Sequence, residues 1–255
     1  MTPDLQFAIE LADAADEITM RHYQSSSLSV RTKSDKTPVS EADEAVERMI
    51  RERIAAERPG DGIVGEEFGT SGATSRRWIL DPIDGTKNYV RGIPVWGTLI
   101  GLEENGRVIA GVISAPAMGR RWWASSGEGA FVRTLGETRA MRASSVDKLE
   151  DAHLTYDSII DFDQHGGAVR FLALMRRCTR SRGFGDFWAH MLVAEGAVEI
   201  AIEPAVAIWD MAPVQIIVEE AGGRFTDLDG RPRIDGGSAL STNGLLHDAV
   251  LEYFR

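Results

Sequence analysis

Carboxylates stand at four points in the sequence beside a proline, a glycine or an aromatic residue, and together they could serve metal chemistry. The sharpest is Asp81-Pro82-Ile83-Asp84-Gly85-Thr86. The apolar run Trp78-Ile79-Leu80 reads as a strand that ends abruptly in a carboxylate. Pro82 fixes the backbone and removes a ladder donor, so strand pairing is expected to stop there. Asp84 follows on the tight turn. Two carboxylates at this spacing can converge on a hard cation. Oxygen ligands suit Mg²⁺, which takes few carboxylates and keeps waters and substrate phosphate as its other ligands. The amides of Gly85 and Thr86 would open a turn or helix and face an anion. A metal beside exposed amides is what a phosphate ester needs. Taken alone, Asp81 also fits a cap and Asp84-Gly85 a turn.

The other three points are weaker singly. Gly65-Glu66-Glu67 follows a short strand at 62–64, and adjacent acids repel unless solvated or bound to a cation. Trp209-Asp210 opens a helix over 211–221, where the acid also fits an N-cap. Pro38-Val39-Ser40-Glu41-Ala42-Asp43 fits a helix cap followed by an acidic first turn. The five histidines, His22, His153, His165, His190 and His247, form no constellation and read as structural or surface residues. The lone Cys178 can form no internal disulfide and reads as a small buried residue.

The elements that must position these residues follow from periodicity. Phe7, Leu11, Ala14 and Ile18 predict a helix over 3–24. Ser40 caps a second helix over 41–57, ended by Pro59-Gly60. Strands are expected at 97–102 and 108–114, joined by the turn Glu103-Glu104-Asn105-Gly106, and at 121–124 and 129–132. A polar connector spans 142–150. Beyond it strands are expected at 152–157, 198–202, 224–226 and 239–241, and helices at 167–178, 188–195, 211–221 and 245–254. The mixture predicts an α/β or α+β layered fold. A soft boundary near 145 divides it into an N-terminal α+β lobe, 1–145, and a C-terminal α/β lobe, 146–255.

Charge narrows the function classes. Among 255 residues, 28 Lys and Arg stand against 39 Asp and Glu, a net charge of −11. This surplus opposes nucleic-acid binding, which wants a basic patch, and no cationic face for a membrane surface is visible. The N-terminus lacks a signal-peptide pattern and no apolar run is long enough to span a bilayer, so a cytoplasmic protein is expected.

The four acidic segments in this order resemble the inositol monophosphatase family of metal-dependent phosphatases. The similarity runs through Thr37-Pro38-Val39-Ser40 to Asp43, Gly65-Glu66-Glu67, Asp81 to Thr86, and Trp209-Asp210 followed by Glu220-Ala221-Gly222-Gly223. The resemblance implies a five-layer αβαβα sandwich, a homodimer, and two or three Mg²⁺ ions per subunit. It implies that Glu66, Asp81 and the Ile83 carbonyl hold one metal and Asp81, Asp84 and Asp210 a second, with Glu66 aiding a third through waters. Glu67 would orient waters. Asp43 and Thr86 would form a hydrogen-bonded pair that polarises the attacking water, and Asp84, Gly85 and Thr86 would meet the phosphate. Lys33 or Lys36 would lie in the family's metal-site loop.

The leaving group must be read from the second lobe. Glu203 lies seven residues before Asp210, where inositol phosphatases place an acid against substrate hydroxyls. Gly183-Phe184-Gly185-Asp186-Phe187 matches the family's substrate-contacting loop, but with Asp186 where inositol-type members carry a small neutral residue. An unpaired carboxylate suits a cationic ester better than a neutral polyol. Asp186, Glu203 and Asp210 are therefore the candidate substrate contacts. The segment, with Leu192-Val193-Ala194-Glu195-Gly196, resembles the histidinol-phosphate phosphatase subgroup. Inositol-1-phosphate and 3′-phosphoadenosine-5′-phosphate remain alternatives, the latter kept open by Arg180 and Arg182. A non-catalytic metal-binding relative is a further one. Asp186 could instead cap the helix at 188, and Phe187 and Trp188 could line a pocket or fill the core.

Overall fold

The computed structural model describes residues 1–26, 28–33 and 38–255, so Lys36 and Thr37 lie outside the described residues. In chain order the elements are α1 (Pro3–His22), β1 (Val30–Thr32), β2 (Pro38–Ser40), α2 (Glu41–Glu57), β3 (Gly62–Gly65), β4 (Gly69–Ser71), β5 (Arg76–Asp84) and α3 (Thr86–Val90). There follow β6 (Gly97–Glu104), β7 (Arg107–Ala115), β8 (Arg120–Ser125), β9 (Gly129–Thr134) and β10 (Glu137–Ala140). The remainder comprises β11 (His153–Tyr156), α4 (Ile159–Gln164), α5 (Ala168–Met175), β12 (Arg180–Gly183), α6 (Asp186–Ala194), β13 (Ile200–Glu203), α7 (Ile208–Glu220), β14 (Arg224–Thr226), β15 (Ala239–Thr242) and α8 (His247–Leu251).

Strands β10-β9-β8-β7-β6-β5-β3-β4 form one sheet and β12-β11-β13-β15-β14 another. Alternation along the strands sends side chains to opposite faces. Trp78, Leu80, Ile100, Leu102 and Val112 pack against α1 and α2, whereas Ile79, Leu99 and Ile113 pack against Phe187 of α6 and Met211 to Val218 of α7. Ala189 and Val193 of α6 meet Ala201 of the second sheet, whose outer face covers Phe162, Phe171, Leu174 and Val250. The result is the expected five-layer αβαβα sandwich. Helix α7 buries Met211 to Val214 and Ile216 to Val218 because it lies between two sheets. Its close approach needs the glycines paired across β6 and β7. A Cβ at Gly101 would meet the Ala212 Cβ at 2.7 Å, and one at Gly111 the Pro213 Cα at 2.8 Å.

Several boundaries differ from the sequence reading, and three matter for the site. Strand β5 does not stop at Pro82. Its register against β6 shifts between Asp81 and Asp84, and Thr98 Oγ1 donates to the Pro82 carbonyl at 2.8 Å, so the chain bulges and resumes pairing. Helix α6 begins at Asp186 rather than 188, and α7 at Ile208 rather than 211. Strand β12, Arg-Ser-Arg-Gly, has no apolar pattern to betray it and is set by parallel pairing with β11.

Candidate active site

The end of β5 folds back on itself. The Ile83 amide donates to Asp81 Oδ1 at 3.0 Å, and Thr86 Oγ1 donates to the Ile83 carbonyl at 2.9 Å. These bonds lock the bulge and set the directions of Asp81 and Asp84. Gly85 must reverse the chain with φ +79°, and a side chain there would meet the Val95 carbonyl oxygen at 3.0 Å. The amides opening α3 then lie beside the carboxylates, unpaired by the helix's own ladder.

Two other elements bring acids to this turn, and a third brings a backbone amide. On α7, Asp210 occupies the third helical position, not the cap, and its Oδ2 accepts the Ala207 amide at 2.7 Å. The first turn of α6 supplies the Phe187 amide, which donates to Asp84 Oδ2 at 2.8 Å and ties the two halves of the chain together. One oxygen each from Asp81, Asp84 and Asp210 lies within 4.8 Å of the others. Glu66 follows β3, with its amide on the Leu80 carbonyl at 3.2 Å. Lys33 Nζ donates to Glu66 Oε1 and Glu67 Oε1, each at 2.7 Å. Burial opposes the charge on Lys33, but the two carboxylates outweigh it and raise its pKa.

The electrostatics call for a cation. Burial and the neighbouring Glu66, Asp84 and Asp210 hold Asp81 well above the usual carboxylate range. Burial with Asp186 and Asp210 does the same to Asp84, and burial pushes Asp210 up to about 7. Among the described residues, only Lys33 brings a cationic group into bonding contact with this set, through Glu66. Buried, mutually repelling oxygen donors with a single lysine to balance them fit a hard divalent ion.

Asp43 occupies the third position of α2, where its Oδ2 accepts from the Ser40 amide at 2.8 Å and from the Ser40 hydroxyl at 2.5 Å. Its other oxygen lies 3.4 Å from Thr86 Oγ1, longer than the Thr86 bond to Ile83. Burial pushes Asp43 up to about 6.

A cavity of about 590 Å³ opens from the turn toward the second sheet, lined among others by Glu66, Asp84, Thr86, Asp157, Asp186 and Asp210. Asp186 takes φ +49°, costly for a residue with a Cβ, and its Oδ2 accepts from Asn88 Nδ2 at 3.1 Å. It does not cap α6 with its side chain. Burial, then Asp157 and Glu203, push it up to about 8. Glu203 is buried at 7% exposure, and its Oε1 lies 3.0 Å from His190 Nε2. Phe187 is core, packed edge-on to Trp122, and Trp188 packs on Phe184. Arg180 and Arg182 line a separate groove with Trp188 and His153.

Several contributors escaped the sequence reading. Glu47 is fully buried and accepts the Glu67 and Phe68 amides at 2.8 and 3.1 Å, which shapes the Glu66 loop. A Cβ at Gly65 would strike Glu47, which explains the glycine. Glu47 is one turn beyond Asp43 on α2, a spacing that marks one helix face. Asn88, Asp157 and His190 carried no such mark.

A model of the inositol monophosphatase family matches residues 1–255. The chain is 51% identical over 255 residues to a histidinol-phosphatase of Streptomyces coelicolor, covering 98% of this chain and 96% of that protein. It is 51% identical over 250 residues to a histidinol-phosphatase of Mycobacterium tuberculosis, covering 97% and 96%. The structure superposes on an IMPase of Thermotoga maritima with a TM-score of 0.86 and 32% identity, covering 99% of this chain and 97% of that one. With its turn of carboxylates and amides facing one cavity, the chain belongs to the inositol monophosphatase family and is a phosphatase.

Proposed function

We propose that this phosphatase hydrolyses L-histidinol phosphate to L-histidinol and inorganic phosphate, with two or three Mg²⁺ ions per subunit. The observation that carries the substrate reading is Asp186. It is an acid in a strained conformation, held by Asn88, at the leaving-group end of a cavity whose other acids are already in excess. A cationic leaving group would relieve that excess, and a neutral polyol would not. The full-length similarity to two histidinol-phosphatases supports the same reading. The separate placement of Arg180 and Arg182 disfavours a nucleotide with further phosphates.

Glu66, Asp81, Asp84, Asp210 and the Ile83 carbonyl would hold the metals. Bound there, the ions would activate water and stabilise charge on the phosphate and the leaving oxygen. The chain's own residues do the rest. Thr86 Oγ1 donates its hydrogen bond to the Ile83 carbonyl or to Asp43 Oδ1 and keeps its proton, so its lone pairs accept from and orient the attacking water. Asp43, fixed by Ser40 and with its pKa raised by burial to about 6, takes up the water's proton. The amides of Gly85 and Thr86 bind phosphate oxygens, and Asp186 and Glu203 bind the leaving group. The assignment includes a cytoplasmic homodimer, as the family resemblance implies. A solution mass near the 27.9 kDa of one chain would argue against the dimer.

The substrate test is a panel of histidinol phosphate, inositol-1-phosphate and 3′-phosphoadenosine-5′-phosphate, assayed with Mg²⁺. A kcat/KM for histidinol phosphate no higher than for inositol-1-phosphate overturns the substrate reading.

A further inference from the structure

His190 is a buried titratable group that the chemistry above does not use. It sits on α6 with 0% exposure, and both ring nitrogens are engaged: Nδ1 lies 2.7 Å from Ser241 Oγ and Nε2 3.0 Å from Glu203 Oε1. The sheet register explains the bridge. Ala201 of β13 pairs directly with Ser241 of β15, and Glu203 lies two residues beyond Ala201. Ser241 and Glu203 therefore share one face of the sheet as diagonal neighbours, on the side that α6 covers.

We propose that His190 is a positioning residue that fixes the Glu203 carboxylate for the leaving group and thereby sets the preference for cationic esters. The proposal rests on the substrate reading above. A neutral imidazole has one donor and one acceptor. A Glu203 carboxylate can only accept, so Nε2 carries the proton and donates to Oε1, and Nδ1 accepts from the Ser241 hydroxyl. Burial pushes the pKa of His190 down to about 4, so the ring is a neutral partner that brings no counter-charge to Glu203, and the charge of Glu203 is left for a cationic group to balance. A lysine or arginine here would satisfy Glu203 fully and leave it nothing to offer a substrate. Glu203 Oε2 has no hydrogen-bond partner among the described residues. Burial holds Glu203 well above the usual carboxylate range, and its charge raises the pKa values of Asp84, Asp186 and Asp210, three residues that line the cavity.

The test is steady-state kinetics of the full chain with Mg²⁺ on histidinol phosphate and on p-nitrophenyl phosphate, whose leaving group carries no cation. His190→Leu is expected to raise KM for histidinol phosphate and lower kcat/KM roughly 10- to 100-fold, with a much smaller effect on the aryl ester. His190→Gln, whose amide can still donate to Oε1, should recover most of the loss. Ser241→Ala should give a weaker version of the Leu result, and carries the test if His190→Leu does not fold. Equal losses on both esters in Leu and Ala variants, or no loss on histidinol phosphate, overturn the proposal. If the wild type shows no preference for histidinol phosphate, the substrate reading has failed by itself. His190 is then judged on KM for inositol-1-phosphate, where an unchanged value overturns it.

Discussion

The two walls of the cavity are built from the same residue types but held in different ways. On the side proposed to meet the phosphate, Asp81, Asp84 and Asp210 on the wall and Asp43 behind Thr86 each accept a backbone amide, from Ile83, Phe187, Ala207 and Ser40. On the side proposed to meet the leaving group, Asp186 on the wall and Glu203 outside its lining are held by side chains, Asn88 and His190, and the Asp157 carboxylate has no hydrogen-bond partner among the described residues. A backbone amide stays in place through most substitutions, whereas a side-chain partner disappears with one. The first wall can therefore keep its geometry while the second changes. This is a physical basis for one reaction centre serving different phosphate esters.

The comparison can be broken at four places. The largest effect is expected on the phosphate wall. Asp84→Asn should lower phosphate release from every ester by at least about 10³-fold, because an oriented charge is lost where charge develops. It should also raise the melting temperature of the metal-free protein, since a buried repelling charge is gone, and shrink the gain on adding Mg²⁺. Retained turnover, or a Mg²⁺-induced shift equal to the wild type's, would sink the metal assignment.

On the second wall, Asp186→Ala should cost roughly 10- to 100-fold in kcat/KM for histidinol phosphate and far less for inositol-1-phosphate. Equal losses on both would mean that Asp186 acts on folding or metal binding instead. Asn88→Ala should act in the same direction through Asp186, but by roughly 3- to 10-fold, the worth of one hydrogen bond that water can partly replace. An effect larger than that of Asp186→Ala would contradict this order.

A control outside both walls is His247, which joins Thr226 and Thr242 at 2.9 and 3.0 Å. Burial pushes its pKa down to about 4 from the usual 6.5. The unfolded chain therefore binds a proton that the folded chain refuses between those values. The stability contributed by neutral His247 is present above about 6.5 and is lost as pH falls toward 4. His247→Gln should cost about 1–2 kcal/mol at pH 7 without changing substrate preference. Chemical denaturation at both ends of that window checks it, and a cost that stays constant down to pH 4 would refute the account.

Much of the phosphate wall was legible because its residues are close in sequence or carry a local mark. Asp81 to Thr86 is a turn whose chemistry is contained in six residues, and Ser40 and Asp43 form a helix start that caps itself. Glu66 and Asp210 were legible through the family pattern, although Asp210 lies three positions into α7 and not at its cap. The bulge that carries β5 past Pro82 was not legible, because it depends on Thr98 and the ladder of β6.

The sequence by itself determined the acids, the glycines that let the backbone turn, and the alternation that stacks helices on both faces of two sheets. It also showed that an excess of negative charge had to be placed somewhere. Only the tertiary structure decided which of those acids share a partner. Asn88 reaches Asp186 across 98 positions, Phe187 reaches Asp84 across 103, and Ser241 reaches His190 across 51. Such contacts leave no periodic trace, since each depends on where α6 settles between the sheets. That position is fixed by nondirectional apolar packing, and the hydrogen bonds that define the leaving-group wall form only once it is reached.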